Sequence, residues 1–143
     1  MKLLAGCLAA CAACSDGGGP ALVEIHAVPV TREAVRAGSL SSVESGGHAI
    51  RVRQTIRVPD ACRTLDGDLL RTGNQLTLRL HTAPDGRECP PSEAYLAYRA
   101  HVRGVPSGRY SLRVVHASGA HRSGSRVVLE HPVVVLERSV EVR

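Results

Sequence analysis

The chain has 143 residues, a formal charge of +5 and a pI near 9.3, which leaves room for one domain of ordinary size with a buried core. Its apolar content comes from Val, Leu and Ala, with no Phe, no Trp and only Tyr95, Tyr98 and Tyr110 as aromatics. The basic excess is arginine dispersed along the chain, Lys2 being the only lysine; without a basic block or a row of stacking aromatics, nucleic acid is not an expected partner.

Residues 1–14 read Met-Lys-Leu-Leu-Ala-Gly-Cys-Leu-Ala-Ala-Cys-Ala-Ala-Cys. One positive charge followed by an uncharged apolar run is the organisation of a secretory signal, and it is too short to span a bilayer, which takes about 20 apolar residues. Small residues directly before a Cys resemble the lipobox of bacterial lipoproteins, a resemblance confined to the leader. Cys7 has only six residues before it. Cys11 follows Leu8-Ala9-Ala10 and matches the pattern. Cys14 departs from it, with Cys11 where Leu or Val is usual, but it has the longest apolar run and is followed at once by Ser15-Asp16-Gly17-Gly18-Gly19-Pro20. Thiol parity favours Cys14: cleavage before it leaves Cys62 and Cys89 to pair, whereas cleavage before Cys11 leaves Cys14 as a spare thiol in an oxidising compartment. Cys14 is therefore the expected lipid acceptor and Cys11 the alternative. A redox or metal use of Cys11-Ala-Ala-Cys14 is disfavoured, because export removes or lipidates that segment. The resemblance implies residues 1–14 as a signal peptide and a chain anchored on the periplasmic face of the cell envelope, at the outer membrane of a Gram-negative bacterium. Residues 15–20 then form a glycine-rich tether and residues 21–143 the folded domain.

From Ala21 onward the dominant pattern is alternation with period two, which puts apolar residues on one face of a strand. Leu22–Val30 is the first expected strand. Thr31–Ala37 reads either as one or two helical turns, with Thr31 as cap and Gly38 as stop, or as loop. In residues 50–58, Ile50, Val52, Ile56 and Val58 share one face while Arg51, Arg53, Thr55 and Arg57 take the other. Asp66-Gly67-Asp68 reads as a turn. Leu76, Leu78 and Leu80 mark the next strand, and Leu96, Tyr98, Ala100 and Val102 the one after. Beyond Gly104–Gly108, Tyr110, Leu112 and Val114 continue the alternation, and a hairpin register follows: Val102 opposite Tyr110, Ala100 opposite Leu112, Tyr98 opposite Val114, with His101 facing Ser111 and Arg99 facing Arg113 on the wet side. Ser118–Ser125 is an expected loop, Arg126–Glu130 a strand, and Val133–Val142 a bent strand after the break at Pro132.

About seven strands at this spacing predict an all-β, antiparallel two-sheet sandwich. The run from Tyr98 to Val114 resembles the closing hairpin of immunoglobulin-like and transthyretin-like modules of envelope proteins; there is no core Trp, and no activity carries over from the resemblance.

Cys62 and Cys89 stand in turn-rich stretches and are an expected disulfide, with two buried free thiols as the alternative. His81 and His101 lie on outward strand faces, His116 and His121 flank the Ser118–Ser125 loop, and His26, His48 and His131 are scattered, so all are expected to be solvated and no metal site is expected. Asp60, Asp66 and Asp68 are too sparse for a calcium loop. There is no G-x-S-x-G and no phosphate-binding loop, so no catalytic residue and no cofactor is expected. Arg51, Arg53, Arg57, Arg79, Arg99, Arg103 and Arg113 all point outward; if their strands share a sheet they form a basic face for acidic lipid head groups or a partner protein, while as a plain charged face they would guard a sheet against aggregation. The expected function is that of a membrane-anchored binding or accessory module with an envelope protein partner. The alternatives are a small metal-binding protein or enzyme using exposed histidines, and an inhibitor presenting the loop Gly119–Gly124 to a protease.

Overall fold

The computed structural model describes residues 20–38 and 40–143. The leader with Cys11 and Cys14, and the tether up to Gly19, lie outside the described residues. The elements run β1 (Leu22–Val30), α1 (Arg32–Arg36), β2 (Ser42–Gly46), β3 (Ala49–Val58), β4 (Arg63–Thr72), β5 (Gln75–Pro84), β6 (Ala94–Arg103), β7 (Gly108–Ala117), β8 (Gly119–Ser123), β9 (Arg126–Glu130) and β10 (Val133–Val142). None of the described helices is long and apolar enough to cross a membrane.

Two four-stranded sheets, ordered β1-β6-β3-β2 and β10-β7-β5-β4, form a β-sandwich, and β8-β9 make a separate hairpin. The all-β sandwich stands as expected, but there are ten strands rather than seven, and it is not antiparallel throughout, because β5 and β7 run parallel in the middle of the second sheet. Two parallel neighbours need a crossover between them, and β6 supplies it by crossing to the first sheet. The core draws on both inner faces: Ile50, Val52, Ile56 and Val58 from β3, Leu76, Leu78 and Leu80 from β5, Leu96, Tyr98, Ala100 and Val102 from β6, and Tyr110, Leu112 and Val114 from β7. Among the described residues the members of the core, including those packed at its edge, lie between Ala21 and Val142.

The hairpin expected between Tyr98 and Val114 does not form. Its alternation is right, since the six apolar residues of the two strands are all buried, but they face one another across the core instead of along one sheet. The connection Gly104–Ser107 carries the chain from one sheet to the other, with Val105 buried at the end of the core. The Tyr110 hydroxyl donates to the Pro106 carbonyl oxygen at 2.8 Å and holds that corner. Arg99 therefore pairs with His26 and Arg53, not Arg113, and His101 with Glu24 and Arg51, not Ser111.

Asp66-Gly67-Asp68 is likewise no turn. It sits within β4 and pairs with His81, Leu80 and Arg79 of β5. A Cβ on Gly67 would lie 2.5 Å from the Arg79 carbonyl oxygen, 2.8 Å from Leu80 Cδ2 and 2.9 Å from Ile25 Cδ1, so the glycine is required by the closeness of the paired β5 backbone together with the approach of β1 over β4, not by chain reversal. Gly67→Ala is expected to cost about 2 kcal/mol, read as a lower urea midpoint; an unchanged midpoint would show that the two sheet edges can part freely. The expected loop Ser118–Ser125 is β8 with its turn, paired residue for residue to β9. Gly119–Gly124 is thus a paired strand running into its turn, not an extended loop. The helical reading of Thr31–Ala37 holds: the Thr31 hydroxyl accepts from the Ala34 N–H at 3.2 Å, and Gly38 leaves the helix at φ +72°. The bend in the last strand is a register shift between Val134 and Leu136.

Cys62 and Cys89 form the expected disulfide, joining positions 27 residues apart. It ties the corner before β4 to the connection that carries the chain to β6. That connection ends at Glu93, whose carboxylate takes Arg32 at 2.7 Å, the Tyr95 hydroxyl at 2.7 Å and, in addition, Arg57. These donors, Tyr95 and then Arg32, hold the Glu93 carboxyl below its ordinary pKa, and the cluster fastens α1 to the first sheet.

Candidate functional site

The first sheet has an outer face that no other element fully covers, and its register sets out three cross-strand rows. The middle row runs His26, Arg99, Arg53 and Ser42 across β1, β6, β3 and β2. On one side lies the row Glu24, His101, Arg51 and Glu44, and on the other Val28, Ala97 and Thr55. Every member of the middle row carries a hydrogen-bond donor when an anion is the partner, Arg and Ser as they stand and His through its ring N–H.

The expected arginine face divides. Arg51, Arg53, Arg57, Arg99 and Arg103 are on the first sheet, but Arg79 and Arg113 belong to the second. Arg79 is a structural residue: it binds Asp68 with its Nε at 2.7 Å and reaches the Val127 carbonyl oxygen at 3.3 Å, pinning the β8-β9 hairpin to the sheet. Arg113 pairs with Glu137 at 2.9 Å, Arg103 with Glu24 and Arg57 with Glu93. Arg51, Arg53 and Arg99 have no carboxylate within 4 Å among the described residues. Like charges directly opposite on a ladder repel, and Arg53 stands directly opposite Arg99. Beside them the Nε2 of His101 is enclosed and has no hydrogen-bond partner.

These side chains line a trough. β1 and β2 occupy opposite edges of their sheet, so the connection that contains α1 must cross between them, and it brings Leu40 over the outer face. One hollow of about 350 Å³ is lined by Leu40, Val28, Val30 and Ala97 together with His26, Arg53 and Arg99. A second, of about 460 Å³, shares those three basic residues and continues over Arg51, His101, Glu24 and Glu44. The trough is apolar at one end and basic at its centre. Its acidic members sit only at the far end, where Glu24 is already bound to Arg103.

Among the described residues no three His, Cys, Asp or Glu side chains gather as a metal site would require. The histidines are not all solvated. His116 lies in the core at 9% exposure, its Nε2 2.8 Å from the Tyr98 hydroxyl and its ring edge-on to the tyrosine. Burial lowers the His116 pKa from 6.5 to about 4 and raises that of the Tyr98 phenol, so both are neutral. The alternation Tyr110, Leu112, Val114 extends by one step to His116, which is the signal that places it inward. The parts of the trough not visible as a site in the sequence are His26 and the Leu40 wall, with Ser42 beside Arg53 in the register. Strand order alone brings them to Arg53 and Arg99.

Fold and site together define a mixed β-sandwich with one basic, partly roofed face. Compared with models of known protein families, with curated proteins and with solved structures, the chain matches none.

Proposed function

We propose that this chain is a lipid-anchored envelope module that works by binding an anionic partner through the trough of its first sheet. The anchor rests on the lipobox-like leader, with Cys14 as lipid acceptor and Cys11 as alternative, which would hold the domain at the periplasmic face of the envelope. The observation that carries the binding reading is the set of Arg51, Arg53 and Arg99, side by side and without carboxylate partners. A face that served only to keep the sheet from pairing would do as well with its arginines bridged to acids. Here the bridged ones surround an unbridged centre. Within sandwiches we class the domain with immunoglobulin-like modules, on the support of the Tyr110 hydroxyl bond to its own corner, a device of Greek-key sandwiches; the parallel β5 and β7 distinguish it from antibody domains.

Mass spectrometry of the mature N-terminus is expected to find a diacyl or triacyl adduct on Cys14, and an unmodified N-terminus would remove the anchor from the reading. Binding to an anion-exchange competitor series of short acidic peptides and phosphates should weaken in Arg53→Gln/Arg99→Gln. Equal retention of every anion by that variant would remove the trough.

A further inference from the structure

The binding reading leaves open what chemistry the anion carries, and the unequal ends of the trough decide it. We infer that the trough is a site for a single amphiphilic anion, a phosphate head group on a short apolar chain. This rests on the reading of the trough as a binding site. The head would lie on the middle row, where the Arg53 and Arg99 guanidinium groups stand on adjacent strands and the Ser42 hydroxyl and the His26 ring close the row at either edge. Guanidinium forks match the oxygens of a phosphate in pairs. The first carbons of the chain would enter the hollow of about 350 Å³ against Val28, Val30, Leu40 and Ala97.

Two features oppose the simpler ligands. A bare inorganic anion would leave the apolar hollow beside it unfilled and Val28, 58% exposed, still in water. An acidic peptide would present several carboxylates along its length, yet on one side of the basic row the neighbouring row is Val28, Ala97 and Thr55, and on the other His101 and Arg51 stand between Glu24 and Glu44 at the two edges. One anionic group with an apolar extension on one side fits that arrangement of rows.

The test uses the full chain with the disulfide intact and three probes below their micelle concentrations: octyl phosphate, inorganic phosphate and octyl glucoside. Octyl phosphate is expected to bind one saturable site at least about tenfold more tightly than inorganic phosphate, and octyl glucoside to show no saturable binding. Arg53→Gln/Arg99→Gln should weaken octyl phosphate by at least about tenfold while leaving the melting temperature equal or higher, because the variant relieves a like-charge pair. Leu40→Ser should weaken octyl phosphate but not inorganic phosphate. Equal affinity for octyl and inorganic phosphate would overturn the amphiphile, as would binding to vesicles of anionic phospholipid with none to monomeric octyl phosphate, which would make the ligand a bilayer surface. An acidic peptide that binds more tightly than octyl phosphate would also overturn it while leaving the binding reading standing. If no anion binds, both fall.

Discussion

Removal of the Cys62–Cys89 bridge is expected to cost the domain about 3.5 kcal/mol, the chain-entropy value for a loop of the observed 27-residue separation. The cost arises in the unfolded chain, where the closed loop restricts the ensemble before any native contact forms. Folded-state geometry concentrates its effect at one corner. The Cys62 carbonyl accepts from the Asp85 N–H at 3.0 Å, and Asp60 accepts from the Cys62 N–H at 2.9 Å and from Arg63 Nε at 3.0 Å. Asp85 is itself held below its ordinary pKa by Arg87. These bonds lock the strand entrance against the connection to β6 even before the sulfurs are counted. Cys62→Ala/Cys89→Ala, or reduction of the native chain, should therefore lower the thermal midpoint by about 10 °C without loss of the β-sheet circular dichroism at room temperature. The same midpoint with and without reductant would mean that the corner is held by its hydrogen bonds alone.

The comparison of pattern with structure turns on what a period of two can specify. Alternation assigns each residue to a face, and it did so correctly for Tyr98, Ala100, Val102, Tyr110, Leu112 and Val114, all buried. It carries nothing about which strand lies alongside, so two consecutive strands with a short Gly-Pro-Ser link read as a hairpin although they belong to opposite sheets. The difference lies in the link itself. Val105 turns into the core and Tyr110 ties back to Pro106, a packing arrangement that no local propensity reports. Gly67 failed in the complementary way. Asp-Gly-Asp is turn chemistry when considered locally, but the glycine is demanded first by the Arg79 carbonyl oxygen of the paired strand and then by Leu80 and by Ile25 of the other sheet. β2 and β8 were missed because they are short, polar and at edges, where half the pattern that marks a strand is absent.

The arginine face shows the same limit. All seven members point outward, and none can be ranked from the pattern, because the partners that neutralise them lie elsewhere in the sequence: Glu24 lies 79 residues from Arg103 and Glu137 lies 24 from Arg113. Only when the pairs are removed does the unpaired group of Arg51, Arg53 and Arg99 stand out. The candidate site is thus a residue of non-local bookkeeping, legible as composition in the chain and as a site only in the sheet.

Acidification from pH 7 to 4.5 is expected to destabilise the domain by about 2 kcal/mol through His116 alone. Its ring is buried beside the Tyr98 hydroxyl, and burial brings the pKa from 6.5 to about 4 in the folded chain. The unfolded chain therefore takes up a proton first as pH falls. Stability is complete above about pH 6.5, declines as the pH falls and levels off below about 4, where the folded form is protonated as well, for a full loss of about 3 kcal/mol. The carboxylates that donors hold low, Glu93 and Asp85, begin to lose their contribution only where the unfolded chain's carboxyls take up protons, at the acid end of this interval and below, so most of the loss between pH 6.5 and 4.5 belongs to the histidine. Urea unfolding of the native chain and of His116→Gln at pH 7 and 4.5 separates the two contributions. The variant should be less stable at pH 7, where it disturbs the bond to Tyr98, but its stability should change by less than half as much across the interval. Parallel losses in both proteins would show that the acid sensitivity does not come from His116. Protonation within the fold leaves the Nε2–H of the imidazolium the Tyr98 hydroxyl oxygen as acceptor, and the His116 ion pairs with no carboxylate among the described residues, so the charge loads the contact between β6 and β7, the two strands that carry the sandwich from one sheet to the other.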